Sequence, residues 1–353
     1  MSDAATTTAG SFQPEVSTTR EVASEESLRV ETLRGLACLF LVAFHVIGSH
    51  ATSGLRVAED SPYRQFAVLF QHLRMPLFTF LSGFVYAYRP VVQARWREFA
   101  GKKLSRLLLP LVCVSTLYYL MTMVVPDATG KIPLSQGWRI YFFPYVHFWF
   151  LQAIILIFAT VVLLEKAKLL STIWRWLGVL VVAMAIHLYV AHRGSEYAFF
   201  SYVDATYLAP YFLLGLGANR FREVLLRPAL IWLVAFCFLG AMAFYSYTMA
   251  SHGVVPGAGT GTGLLIGVTG TLTLLYFFPH LRVLALLGAY SFTVYLFHPF
   301  FVAGSRAVLK FAHIGSTELG FALGLAAGVI GPPVLELALR NMAWPRRYLL
   351  GQR

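Results

Sequence analysis

Long apolar runs separated by short polar connections dominate the chain. They fall near residues 33–50, 66–88, 104–126, 146–164, 173–191, 205–218, 229–250, 261–278, 284–309 and 319–339, and most approach the roughly 20 residues that an α-helix needs to cross a bilayer. The pattern predicts an all-α, polytopic integral membrane protein with about ten transmembrane helices. The sixth run is short and contains Pro210, Gly215 and Gly217, so it is expected to be tilted, broken or partly re-entrant, which a membrane tolerates only where the freed backbone is buried in protein. Residues 1–28 are rich in Ser, Thr, Ala and Glu and read as a disordered cytoplasmic tail. The first apolar run follows without a small-residue cleavage pattern, so no cleavable signal peptide is expected. A transmembrane domain over 29–341 and a short basic cytoplasmic tail over 342–353 complete the division. The glycine-rich stretch 253–263 lacks the Gly-Lys-Ser/Thr ending of a phosphate loop and reads as a flexible outer loop.

Composition excludes an ordinary soluble protein. Of 353 residues 58% are hydrophobic and only 12% charged, against roughly 25% charged in soluble domains. The net charge of +12 raises the question of nucleic acid, and the position of the basic residues answers it. With the N-terminus placed in the cytoplasm, 20 of the 28 Lys and Arg residues fall on cytoplasmic segments, 6 on outer loops, and Arg74 and Arg306 at or within helices. That bias is the positive-inside signature of an inner-membrane protein with both termini cytoplasmic, and it removes the need for a nucleic-acid partner. Cys38, Cys113 and Cys237 lie inside apolar runs without metal-ligand spacing and read as packing residues; no metal site is expected.

The first helix carries the densest chemistry. Arg34 and His45 are eleven positions apart, about three helical turns, so they share one face with ~16 Å between them along the axis. Ionisable residues at membrane depth are functional candidates by default. A histidine hydrogen-bonded to a neighbouring helix, with Arg34 as a topology anchor, is the structural alternative.

The segment from Glu31 through Arg34 to His45 resembles the signature of the membrane acyltransferase 3 family, in which an acidic residue, a Leu-Arg-Gly step and a histidine eleven positions after the arginine lie on the first helix. Glu31 stands where that family more often has Asp. Five further segments are similar in order and spacing: Met75–Phe84 with Ser82 and Gly83, the basic lead-in Lys102–Pro110 with Arg106, His147–Leu151 with Trp149, Tyr207–Gly215, and Tyr290–Pro299 with Tyr295 and His298. The likeness covers roughly residues 28 to 340.

The resemblance implies transfer of an acyl group, usually acetyl, from acyl-CoA to a hydroxyl of an exopolysaccharide, O-antigen or other envelope carbohydrate, free or lipid-linked. Arg34 suits a phosphate of the cytoplasmic donor, because a guanidinium grips phosphate in a bidentate fork, and Glu31 would orient it. Ser82, Gly83 and Arg106 join it as donor-side candidates, with ordinary helix packing the competing account of the Ser-Gly pair. Lys102 and Lys103 read as positive-inside residues. His45 is the candidate general base, since a hydroxyl needs a base with a pKa near the working pH; a covalent acyl-histidine or acyl-serine route is the second mechanism. His45 lies ~18 Å and His298 ~21 Å from the cytoplasmic starts of their helices, and His147 and Trp149 approach the same level from the outer side, making a candidate acceptor site that Tyr295 of the last motif joins. Aromatic-belt anchoring competes for Trp149. For His298 the competing role is satisfying the carbonyl that Pro299 frees. Arg74 and Arg306 receive no firm role, and Glu336 with Arg340 reads as an i,i+4 ion pair. The rival function, a glycan or glycolipid transporter or flippase, predicts broken helices in matching positions of two halves and leaves the Arg34/His45 stripe unused.

Overall fold

The computed structural model describes residues 15–352 apart from residues 89, 91–95, 126–129, 195–197 and 254. Among the described residues every regular element is helical. In chain order these are α1 (Glu15–Ile47), α2 (Pro62–Leu69), α3 (Gln71–Tyr88), α4 (Trp96–Val124), α5 (Arg139–Phe142), α6 (Trp149–Lys166), α7 (Ile173–Arg193), α8 (Tyr202–Arg220), α9 (Arg222–Leu225), α10 (Pro228–His252), α11 (Gly261–Phe277), α12 (Arg282–Ala289), α13 (Ser291–Phe311), α14 (Thr317–Leu339) and α15 (Ala343–Tyr348). Eight of the ten expected spans are long and apolar enough to cross a membrane. The other two are also helices, α8 and the 17-residue α11. The chain is a polytopic membrane protein.

Helix starts follow the local chemistry. Ser61 precedes Pro62 and accepts the Arg64 N–H, Thr172 accepts that of Arg175, Thr260 that of Gly263 and Ser316 that of Leu319, each satisfying an amide that the first helical turn leaves free.

The sixth run corrects the expectation of a break. α8 continues through Pro210, and its residues from Pro210 to Ala218 are all buried. It is the central helix, packed by α3, α6 and α7, so its small residues serve close contact rather than a re-entrant turn. The breaks lie elsewhere: the second run divides at Phe70 and the ninth at Tyr290, where the Tyr290 N–H bonds the Leu287 carbonyl at 3.1 Å in one tightened turn.

Both ends of the described residues carry helix. Residues 1–14 lie outside the described residues, but α1 already begins at Glu15, and Glu26 pairs with Arg222. At the other end α15 folds back on α4, Leu350 is buried and Gln352 Nε2 donates to Glu336 at 2.6 Å. Glu336 therefore pairs with Gln352 and Thr293 rather than with Arg340.

Two reciprocal glycine contacts set the registers that matter. A Cβ on Gly35 would stand 1.9 Å from the Leu284 carbonyl oxygen, and one on Gly288 would stand 1.8 Å from that of Glu31. Each glycine thus seats on the carbonyl four residues before the other, the geometry of two parallel helices in backbone contact. Below this contact the Leu281 N–H bonds Thr32 Oγ1 at 3.3 Å, and Arg29 Nε donates to His280 at 2.9 Å. The same arrangement joins α3 to α8, where Gly83 meets the Phe212 carbonyl and Gly215 that of Phe80, both at 1.9 Å from an added Cβ. Trp176 Nε1 on α7 donates to the Leu213 carbonyl at 2.8 Å and helps hold α8 in the centre.

Candidate active site

The α1/α12 register decides where the histidines go. His45 lies ten residues after Gly35, and His298 lies ten residues after Gly288. α12 is locked to α1 at those glycines, and α13, which follows across the Tyr290 turn, also packs on α1; the equal spacings bring both rings to one level, ~15 Å beyond the contact. The ring centroids are 4.6 Å apart. His147 completes a cluster, its ring 6.2 Å from His45 and 5.4 Å from His298.

Each ring is oriented by a main-chain carbonyl. A carbonyl only accepts, so the nitrogen facing it carries the proton. His45 Nδ1 donates to Leu41 at 2.9 Å, which leaves its Nε2 as a bare acceptor. His298 Nδ1 donates to Val294 at 2.8 Å and to Tyr295 at 3.0 Å. The Tyr295 carbonyl is the one that Pro299 deprives of its helical partner, so His298 fills the role of satisfying it while its Nε2 stays buried and unpartnered. His147 uses Nε2 toward the Leu296 carbonyl at 3.3 Å, leaving Nδ1 bare. Tyr295 Oη in turn donates to the His147 carbonyl at 2.5 Å. Val146, just before His147, has a φ of 45°, a region that a β-branched residue occupies only under constraint.

A cavity of about 280 Å³ lies over this cluster. His45, Arg74, Tyr118, His147, Trp149 and Arg306 supply its polar and aromatic walls, and among the described residues no Asp or Glu lines it. The loop after α1 covers one side. It turns at Gly48 and Gly54, whose φ values of 94° and 62° call for glycine, and Ser53 Oγ accepts the amides of Ser49 and His50 at 2.9 and 3.1 Å. Arg74 is stacked 3.6 Å above the Phe44 ring.

Arg34 is at the other end of α1. Its Nη1 binds Glu31 Oε1 at 2.6 Å, and Arg106 lies within electrostatic reach of it and of Glu336. The cavity floor is Leu41, and about 10 Å of helix separates it from Arg34, with Ala37 and Cys38 buried between. Ser82 Oγ donates to its own helix at Phe78, 2.9 Å away, and the open face of Gly83 is filled by Phe212. The side chains of Lys102 and Lys103 lie outside the described residues.

A family model described as an acyltransferase domain, of the acyltransferase 3 family, matches residues 28–337. The chain belongs to that family. No curated protein and no solved structure matches it. The membrane acyltransferase thus has its candidate residues in two groups. His45, His147, Trp149 and Tyr295 line one cavity with His298 behind it; Glu31, Arg34 and Arg106 gather at the far end, and Ser82 with Gly83 sits on α3 between them. Arg74 and Arg306 are the cavity residues to which the sequence assigns no role. Their signal lies in the distribution of charge along the sequence, as the two cations that no loop accounts for. Among the described residues no group of His, Cys, Asp and Glu is arranged to hold a metal.

Proposed function

We propose that this acyltransferase is an acyl-CoA-dependent O-acyltransferase, of the O-acetyltransferase type, acting from the cytoplasmic membrane on a hydroxyl of an exopolysaccharide, O-antigen or related envelope carbohydrate. The observation that carries the reading is His45: its Nδ1 is tied to Leu41 and its Nε2 is free to accept a proton at a cavity wall. In this reading the basic-residue bias places the Arg34 end in the cytoplasm, where Arg34 and Arg106 meet the donor phosphates. The thioester at the tip of the donor's pantetheine arm then has about 10 Å to travel past Arg34 to the cavity floor.

His45 Nε2 takes the acceptor's O–H proton as that oxygen attacks the thioester carbonyl carbon. The C–S bond breaks, and the imidazolium returns the proton to the leaving thiolate. General-base assistance of this kind contributes about 10²–10⁴ in rate. His45→Ala is expected to reach the membrane at normal abundance and lose ester formation by that factor; full acylation by the variant would remove His45 from the mechanism. Arg34→Ala is expected to raise the acyl-CoA KM more than the acceptor KM, and an unchanged donor dependence would refute the phosphate contact.

A further inference from the structure

Two arginines line the same cavity as His45 and His147. Arg74 enters from α3 and Arg306 from α13. Among the described residues neither has a carboxylate partner. Arg56, in the loop over the cavity, adds a third positive charge within electrostatic reach of Arg306. Glu59 of the same loop is engaged elsewhere, by Arg64 Nε at 3.1 Å and by the Ala51 N–H at 2.7 Å. Two guanidiniums on the wall of one cavity in a membrane domain, without a counter-charge, are costly, and such residues characteristically mark a substrate path.

We propose that the cavity is built for an acceptor that carries an oxyanion, a carboxylate or a phosphodiester, gripped by Arg74 and Arg306 while a neighbouring hydroxyl faces His45. This rests on the O-acyltransferase reading and narrows its substrate. Stacking on Phe44 fixes the plane of the Arg74 guanidinium and leaves its N–H edge for a planar, bidentate partner. The volume lies just below the ~300–1,000 Å³ of small-molecule pockets, so the group recognised is one charged sugar residue or sugar phosphate rather than a length of polymer. A neutral sugar would use the histidines and leave both arginines uncompensated.

The test uses the full-length protein in detergent with three matched probes: methyl glucoside, methyl glucuronoside, and methyl glucoside bearing a methyl phosphodiester. Binding is read from intrinsic fluorescence, Trp149 being the tryptophan on the cavity wall, and transfer from acetyl-CoA is measured on the same probes. At least one charged probe is expected to bind about ten- to hundredfold more tightly than the neutral one, the range of charge-assisted hydrogen bonds, and the preferred probe identifies carboxylate or phosphodiester. Arg306→Gln and Arg74→Gln are expected to erase that preference by weakening only the charged probe, with Arg306→Lys retaining part of it. Equal binding of neutral and charged probes by the wild-type protein overturns the proposal even if the variants fail to fold. So does an arginine variant that lowers transfer to both alike, which would assign the guanidinium to the reacting centre. Tight binding of a charged probe without any ester formed would leave the anion site standing and refute the acyl-acceptor reading instead.

Discussion

Replacing Gly35 by Ala tests whether the α1/α12 contact places the histidine proposed as general base. In an isolated helix this change would be favourable by up to about 1 kcal/mol, since alanine is the better helix former. In the protein its Cβ would stand 1.9 Å from the Leu284 carbonyl oxygen, whereas ordinary contact begins at 3.4 Å, so the two backbones must part by about 1.5 Å. The neighbouring atoms are main chain and cannot swing aside. A parting of that size at the contact is transmitted along α1, and through α12 and the Tyr290 turn into α13, to the rings that now sit 4.6 Å apart. Misplacement of a catalytic group by ~1 Å costs about 10²-fold in rate. Gly35→Ala is therefore expected to lower acyl transfer in isolated membranes by about two orders of magnitude at near-normal abundance. Gly178→Ala, at a glycine with open space around it, serves as the comparison and should leave the rate unchanged. Wild-type transfer by Gly35→Ala, or equal losses in the two variants, would refute the argument that this contact sets the site.

Three further outcomes are expected. Tyr295→Phe removes the bond to the His147 carbonyl, worth about 1 kcal/mol, and should lower transfer several-fold through a looser His147 without changing abundance, measured as initial rates against immunoblotted protein. Trp176→Phe removes the N–H that meets Leu213 inside the bundle and should cost about 1 kcal/mol of stability, seen as a lower melting temperature in detergent with the specific transfer rate intact. Truncation after Asn341 deletes the buried Leu350 and Gln352, one of the two partners of Glu336; burial of one leucine is worth about 1.5–3 kcal/mol, so the melting temperature should fall, and an unchanged value would show that α15 packs without contributing.

The helical architecture was legible because a bilayer demands long apolar runs, and those runs leave an unmistakable pattern. The Arg34/His45 stripe was legible because eleven residues is close to a whole number of turns. The meeting of His45 with His298 was foreseen only as a shared depth. What makes it a contact is the seating of Gly35 and Gly288, and a single glycine in an apolar helix carries no mark of which backbone it faces. The same gap explains Gly83, whose Ser-Gly pair invited a ligand and whose structure shows a helix neighbour. α8 misled for a related reason: a central helix surrounded by protein can afford the low hydropathy and small residues that otherwise signal a break. Periodicity pairs Glu336 with Arg340 because it sees only the residue's own helix, whereas the partners arrive from α13 and from the folded-back C-terminus.

The Gly35/Gly288 seating has a consequence for how the protein lives in its bilayer. Two contact points one turn apart fix both the slide and the roll of α12 on α1, so the pair must tilt as a single rigid strut when the membrane thickens or thins. Because α13 also packs on α1 beyond the Tyr290 turn, the distance between the histidines is then decoupled from lipid length. An enzyme whose site was assembled by independently tilting helices would lose its alignment across a series of acyl chain lengths; this one should hold its rate until the bundle itself fails.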